Sequence, residues 1–284
     1  MSKRIAMLAG VVVVVSLFSS VTLALPPMGP PKAMIGQDQW TLGLGFSRSE
    51  MDLEAHGVGR EDQGAGFAAP ALDKHQIESL TTNMVLVSLG FGVSDSWDAF
   101  VSVGGADAED EITEELASGA DGNKYTGLDG SFEICYGIGT RMTFWEDGDV
   151  TWGALAQILW QNPDGSIDLR AANDPTFQLT GDAELDFWEL QIAAGPTWEQ
   201  GDFRVYGGPF LHIVDGDIDL DATGVDAFAA TWQVESSGEI SEASQFGGYA
   251  GAQWDIDEST SANVEIQFTA DAWAVALGAI WRFE

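Results

Sequence analysis

The sequence predicts an all-β chain that forms a transmembrane antiparallel up-and-down β-barrel of about ten strands. Three observations lead to this fold class. The C-terminal segment alternates as a barrel strand should, similar segments recur with alternating long and short connections, and tryptophans stand at the segment ends. No apolar run after residue 24 is long enough for a transmembrane helix, so a membrane crossing must use strands.

The C-terminal segment carries the clearest strand pattern. Its larger apolar side chains fall on one face at period two, and these are Val275, Leu277, Ala279, Trp281 and Phe283. The opposite face is smaller and ends in Arg282. A membrane-barrel strand requires an apolar face toward lipid and a smaller, more polar face toward the lumen.

The same segment resembles the C-terminal signal by which the bacterial barrel-assembly machinery recognises its clients. In that pattern a glycine is followed at three and five residues by apolar side chains, here Gly278, Trp281 and Phe283. The resemblance implies this machinery as a partner during biogenesis. Family members usually end on the aromatic residue, whereas this chain adds Glu284.

The N-terminus has the features of a secretory signal peptide. Lys3 and Arg4 precede an apolar run over 5–21, and the small residues of Thr22-Leu23-Ala24 suit a signal peptidase. We therefore predict a signal peptide at 1–24, cleaved after Ala24, with an uncleaved membrane anchor as the alternative. Together with the barrel pattern, export of this kind predicts a location in the outer membrane of a diderm bacterium. Cys135 is the single cysteine, so no internal disulfide can form.

The mature chain divides into a Pro-rich periplasmic linker at 25–38 and a barrel at 39–284. Strands are expected at 40–49, 85–93, 97–103, 132–144, 152–160, 188–198, 203–213, 246–254, 262–268 and 273–283. Short turns, expected in the periplasm, alternate with long acidic segments at 50–78, 104–130, 162–184 and 215–242, expected as extracellular loops. An even strand number puts both termini on the periplasmic side. Twelve strands are the alternative, if 228–234 enters the wall with one more segment.

Aromatic residues recur at the strand ends that adjoin the short turns. An internal repeat places tryptophan before an acidic turn at Trp145, Trp198 and Trp254, spaced by one hairpin plus one long segment. The predicted inner girdle comprises Trp97, Trp145, Trp152, Trp198, Trp254 and Phe283. Such side chains lie half in lipid and half in water, which makes outer-membrane lipid the expected surroundings. The same aromatic bands could line a homo-oligomer interface instead.

One predicted hairpin, within 132–157, resembles a hairpin of the chlamydial major outer-membrane porins. The matching positions are Gly139, Arg141, Trp145, Glu146, Gly148, Gly153 and Gln157. This resemblance covers about a tenth of the chain and implies porin-like ancestry. Those porins are longer and cysteine-rich, so their disulfide-linked wall role is not implied here.

The strongly acidic composition limits the partners. The formal net charge is −34, with 11 lysines and arginines against 45 acidic residues. So few basic side chains cannot neutralise the phosphates of a nucleic acid, so nucleic acid is excluded as a partner. An acidic surface favours cations.

Two interpretations of the lumen stay open. The inward positions predicted to line a pore are Glu133, Arg141, Glu189, Arg204, Glu265 and Arg282. Small neighbouring residues favour a narrow, cation-preferring diffusion pore for small ions or solutes. Alternatively, the three arginines bridge the three glutamates and fill a barrel only slightly larger than eight strands. The protein would then be a structural or adhesive barrel that acts through its acidic loops.

Enzymatic and metal sites are not expected. A site that resembles that of the omptin proteases would need paired acidic residues, with an aspartate two residues before a histidine. The residue two positions before His212 is Phe210. Asp73-Lys74-His75 is a near match in a predicted loop. The acidic run Asp215 to Asp221 resembles the start of an EF-hand loop, with Asp226 at the twelfth place, but the sixth place is Leu220 instead of the required glycine. We therefore expect this run to be a strand above the membrane with one acidic face. We predict no cofactor and no single tight metal site.

Overall fold

The computed structural model describes residues 25–62, 71–107, 109–115, 121–170, 178–225, 231–242 and 245–283. The predicted signal peptide at 1–24 and the terminal Glu284 lie outside the described residues. The strands, in chain order, are β1 (Trp40–Asp62), β2 (Ala71–Ser94), β3 (Trp97–Ala106), β4 (Glu109–Glu115), β5 (Asp121–Gly130), β6 (Glu133–Asp147), β7 (Val150–Gln161), β8 (Asp164–Arg170), β9 (Gln178–Gln200), β10 (Phe203–Val225), β11 (Thr231–Glu242), β12 (Phe246–Asp255), β13 (Thr260–Phe268) and β14 (Ala272–Phe283).

Ten of these strands close into a ring, which we call the wall. Hydrogen-bonded neighbours follow the order β1, β14, β13, β12, β10, β9, β7, β6, β3 and β2, and β2 pairs back to β1. All of these pairings are antiparallel. A closed ring leaves no unpaired strand edge, as a membrane requires. The prediction of a ten-stranded antiparallel barrel is therefore confirmed.

Short turns join the wall strands at one end, which we call the short-turn end. Gly148 and Gly201 occupy two of these turns with φ near +59° and +62°. Glycine takes this left-handed conformation without a steric penalty, so the tight connections β6–β7 and β9–β10 follow from these residues.

At the opposite end the sheet continues beyond the wall as a second ring, which we call the extension. β1, β2, β9 and β10 are each 23 or 24 residues long and run through both rings. In the extension they are joined by β4, β5, β8 and β11, so that the order β1, β2, β4, β5, β8, β9, β10, β11 closes on itself.

The extension differs from the expectation of long loops. The acidic segments alternate polar residues with inward apolar ones, such as Leu185 and Phe187 on β9. This period of two extends the strands, because the apolar face has a core to pack on. β11 pairs with β1 and β10 within the extension, so the described part of the segment considered for a twelve-stranded wall, residues 231–234, lies above the wall.

The outer surface of the wall is apolar. Its exposed side chains include Val101, Val103, Ile138 and Ile266. All six members of the predicted inner girdle are exposed at the short-turn end, with fractions between 38% and 51%. This is the distribution expected where lipid covers the wall. Among the described residues, no helix is long and apolar enough to cross a membrane.

Candidate functional site: the lumen and an acidic outer face

The lumen contains residues 25–36, which we call the plug segment. Leu25 and Met28 are fully buried inside the barrel. The sequence predicted a periplasmic linker here, so this placement differs from the expectation. Proline accounts for the shape of the segment, because it fixes φ and removes backbone donors that would otherwise need partners.

Side chains of the wall bind the backbone of the plug segment at its centre. Glu265 accepts hydrogen bonds from the backbone N–H groups of Met28 at 3.0 Å and Gly29 at 2.8 Å. The Arg141 guanidinium donates to the carbonyl oxygen of Met28 at 2.9 Å. Gln267 donates to the carbonyl oxygen of Pro26 at 3.0 Å. These bonds supply the partners that an isolated extended segment lacks.

Further contacts hold the segment toward the short-turn end. The Asp98 carboxylate accepts from the backbone N–H of Met34 at 2.6 Å, and the Thr143 hydroxyl accepts from that of Ala33 at 3.1 Å. Lys32 forms an ion pair with Glu199. The plug segment is therefore bound along its length by side chains from several different strands.

Toward the extension, an apolar cluster fills the lumen above the plug segment. It contains Leu25 together with Met51, Leu53, Leu80, Ala183, Leu185, Phe187, Val214, Ala222, Ile240, Ala272 and Ala274. A second cluster, of Met84, Leu86, Ala106, Cys135 and Leu159, fills the side near β2, β3, β6 and β7. Packed apolar side chains exclude water, so both clusters keep water out of the part of the lumen that they occupy.

A buried charged layer borders the first cluster. His212 lies between two carboxylates, with Nε2 3.2 Å from Glu189 Oε2 and Nδ1 2.7 Å from Glu242 Oε2. Gln161 also donates to Glu189. His212 is 0% exposed, Glu189 1% and Glu242 7%. Neither oxygen of Glu242 is aligned for a hydrogen bond with any described residue.

The six residues predicted to line a pore are not brought together as one pathway. Glu265 and Arg141 bind the plug segment, and Glu189 belongs to the buried layer with His212. Arg204 and Arg282 both pair with Asp255 near the short-turn end, at 2.8 Å and 3.4 Å. Glu133 accepts from the Ser131 hydroxyl at the start of β6. The predicted bridges of Arg204 and Arg282 to the glutamates are replaced by these pairs with Asp255.

A small cavity remains beside the plug segment. It has a volume of about 100 Å³ and lies against a wall of small residues that includes Gly43, Ser88, Gly90, Ser102 and Gly137. The larger side chain of Gln157 also lines the cavity, and it donates a hydrogen bond to Gln191 at 2.7 Å. The free space therefore follows the small residues that the sequence places on β1, β2, β3 and β6.

The outer surface of the extension forms an acidic face on β9, β10 and β11. Its outward carboxylates are Asp182, Glu184, Asp186, Asp215, Asp217, Asp219, Asp221, Glu235 and Glu239. Three pairs of β9 and β10 stand directly opposite each other, namely Asp186 with Asp217, Glu184 with Asp219, and Asp182 with Asp221. Directly opposed like charges destabilise a sheet, so this face favours bound cations.

A groove of about 590 Å³ crosses the acidic face. Arg60 borders it and pairs with Glu235, with Nε 2.8 Å from Oε2. Among the described residues, no three His, Cys, Asp or Glu side chains converge to hold a metal ion. The run Asp215 to Asp221 continues β10 as a strand, and Asp226 lies outside the described residues. The acidic face therefore offers spread charge rather than one coordination site.

The residues considered for a protease are His212 and the run Asp73-Lys74-His75. His212 is enclosed in the buried layer, and the side chains of Asp73 and His75 are not among those described. His56 is exposed on β1, and its Nε2 lies 3.3 Å from Glu54 Oε2. Sequence reasoning missed Asp98, Thr143 and Gln267 as ligands of the plug segment. The alternation of inward and outward positions along each strand could have predicted that these side chains face the lumen. Nothing in the sequence indicated which partner they bind.

Solved structures of bacterial outer-membrane barrels are similar to this one. The outer membrane protease OmpT from Escherichia coli matches with a TM-score of 0.50 at 8% sequence identity, covering 91% of this chain and 99% of OmpT. The toluene transporter TbuX from Ralstonia pickettii gives 0.39 at 11% identity, with coverages of 88% and 90%. OprG from Pseudomonas aeruginosa gives 0.35 at 8% identity, with 88% and 98%. No protein-family model and no curated protein matches the sequence.

The fold is therefore that of an outer-membrane β-barrel. At these identities the likeness shows the fold alone, and the resemblance of the β6–β7 hairpin to chlamydial porins stays a prediction. Function has to be argued from the lumen and the acidic face.

Proposed function

We propose that the protein is a closed barrel of the bacterial outer membrane that acts through its acidic face. The observation that carries this proposal is the occupied lumen, in which the plug segment is bound from Leu25 to Met34. A diffusion pore needs a continuous aqueous path, and the apolar cluster around Leu25 fills that path. The interpretation of a non-conducting barrel is therefore favoured over that of an open pore.

The short turns face the periplasm and the extension faces the outside. This orientation follows the usual asymmetry of bacterial barrels, whose longer segments are external. It places the acidic face where it meets external cations and the anionic headgroups of the outer leaflet. Divalent cations held loosely between opposed carboxylates would link this face to those headgroups, which gives the barrel a structural or adhesive role.

Calcium titration tests the role of the acidic face. We expect several weak sites in the refolded protein, and a clear loss of bound calcium in the variant Asp217→Asn, Asp219→Asn, Asp221→Asn. The matched control neutralises Glu146, Asp147 and Asp149, which are equally exposed at the short-turn end. Equal losses in both variants, or a single micromolar site, would contradict the proposal.

A second candidate function is a small cation-preferring pore that conducts when the plug segment leaves. The cavity of about 100 Å³ along the small-residue wall favours this candidate, because it marks where water would enter first. In that state Glu133, Glu189 and Glu265 would face the pathway, and neutralising them should reduce the preference for cations. An unchanged reversal potential would remove them from the pathway.

A further inference from the structure

The plug segment begins at the residue that signal cleavage would make the N-terminus. Leu25 is 0% exposed, and its backbone nitrogen donates to the Ser49 hydroxyl at 2.5 Å. Cleavage after Ala24, which the sequence predicts, converts this nitrogen from a peptide N–H into an ammonium group. A positive charge would then lie inside the lumen, where an unpaired charge is costly.

The buried layer of Glu189, His212 and Glu242 has the opposite charge imbalance, an excess of negative charge. Both ring nitrogens of His212 face carboxylate oxygens, an arrangement that the doubly protonated ring satisfies with a donor on each side. One imidazolium between the carboxylates of Glu189 and Glu242 leaves one negative charge in excess. Glu242 Oε2 lies 2.7 Å from His212 Nδ1, but neither oxygen of Glu242 is aligned for a hydrogen bond with a described residue, although the side chain is buried.

Leu25 and this layer border the same apolar cluster. The cluster that encloses Leu25 includes Phe187, Val214 and Ile240. Each of these lies two residues from a member of the layer, on the same inward face of β9, β10 or β11. The charged layer therefore borders the apolar cluster in which Leu25 lies.

We propose that the lumen contains a binding site for the α-ammonium group of the mature N-terminus, formed by Ser49 and the Glu189–His212–Glu242 layer. The ligand is the free amino end of the plug segment itself. Signal cleavage thus supplies the cation that balances the layer and locks the plug segment in place. This inference rests on the closed lumen proposed above and identifies what closes it.

The test uses protein purified from the outer membrane, whose N-terminal residue is first determined by mass spectrometry. We expect Leu25, and a mature chain starting elsewhere would overturn the proposal. The unfolded protein is then acetylated near pH 7, where the α-amino group, with a pKa of about 7.7–8.0, reacts before lysine. Acetylated and untreated proteins are refolded, and trypsin cleavage after Lys32 reports whether the plug segment has left the lumen.

Acetylation should speed cleavage after Lys32 by about tenfold, because an uncompensated buried carboxylate is strongly destabilising. In Glu242→Gln, which removes the excess negative charge, acetylation should have little effect. The matched control Glu239→Gln removes an exposed carboxylate from the same strand and should respond like the wild type. No effect of acetylation in the wild type, or the same effect in Glu242→Gln, would overturn the site.

The two proposals fail in different ways. Rapid cleavage after Lys32 in the untreated protein would mean that the plug segment is not seated, which contradicts the closed lumen as well. Slow cleavage that acetylation leaves unchanged would contradict the ammonium site alone.

Discussion

Gly92 of the wall and Gly36 of the plug segment approach each other so closely that a side chain on Gly92 has no room. A Cβ added there would overlap the carbonyl oxygen of Gly36 and lie 3.0 Å from that of Ile35. Every atom it meets first belongs to the plug segment. Because Gly92 of β2 has no side chain, the chain that precedes β1 can turn into the lumen at this point.

Replacing Gly92 with alanine should displace the end of the plug segment at Ile35 and Gly36. We expect faster trypsin cleavage after Lys32, by about tenfold, with the wall still formed. The control is Gly43→Ala, also in the lumen, where the new Cβ would lie 3.5 Å from Ser88 in ordinary contact. Equal cleavage rates in the two variants would mean that the close approach at Gly92 does not position the segment.

Glu265→Ala should loosen the centre of the plug segment. The change leaves the N–H groups of Met28 and Gly29 without their acceptor in a buried place, at about 1–3 kcal/mol for each donor. Cleavage after Lys32 should accelerate, and the free energy of unfolding in urea should fall. Glu133→Ala, near the lumen rim, is the control and should change neither quantity. A loss of stability with an unchanged cleavage rate would mean that Glu265 stabilises the wall but does not hold the plug segment.

His212→Gln should destabilise the barrel by about 3–5 kcal/mol, because it leaves two buried carboxylates without a cation between them. Urea unfolding of the refolded protein measures this loss. Adding Glu189→Gln and Glu242→Gln should recover much of it, since the repelling charges are then absent. His56→Gln, at an exposed site on β1, should have no effect. If the triple variant is no more stable than His212→Gln, the charge explanation is wrong.

The opposed carboxylates of the extension should repel each other when no cation is present. Asp219→Asn removes the like charge opposite Glu184, so it should raise the unfolding midpoint at low ionic strength. The gain should vanish at 1 M salt, where the Debye length is about 3 Å. Asp147→Asn in a short turn is the control. A midpoint that falls at low salt would show that Asp219 is stabilised by a partner and not repelled.

The wall could be predicted from the sequence because its signal is periodic. Val275 to Phe283 alternates, and tryptophans mark the short-turn ends. The extension was expected mainly as loops because its outward residues are polar, and only the alternation of Asp217 and Asp219 with Ile218 and Leu220 indicated a strand above the membrane. A second ring depends on pairing between distant segments, which no single segment reveals.

The filled lumen could not be predicted from the sequence of residues 25–38 alone. A run of prolines and glycines is typical of linkers, and its binding depends on partners far along the chain, such as Arg141 and Glu265. Alternation along the strands predicts inward positions for these two residues, but it does not distinguish a water-lined path from a bound segment. Three-dimensional contacts were needed to choose between the two interpretations of the lumen.

The central claim is a lumen closed by the plug segment, and planar-bilayer recording tests it most directly. The refolded mature protein, with barrel formation first checked by its heat-dependent gel shift, should give no steady conductance under a salt gradient. Gly92→Ala should give openings that Gly43→Ala lacks. Steady, cation-selective conductance from the unmodified protein would contradict the closed lumen and favour the diffusion pore.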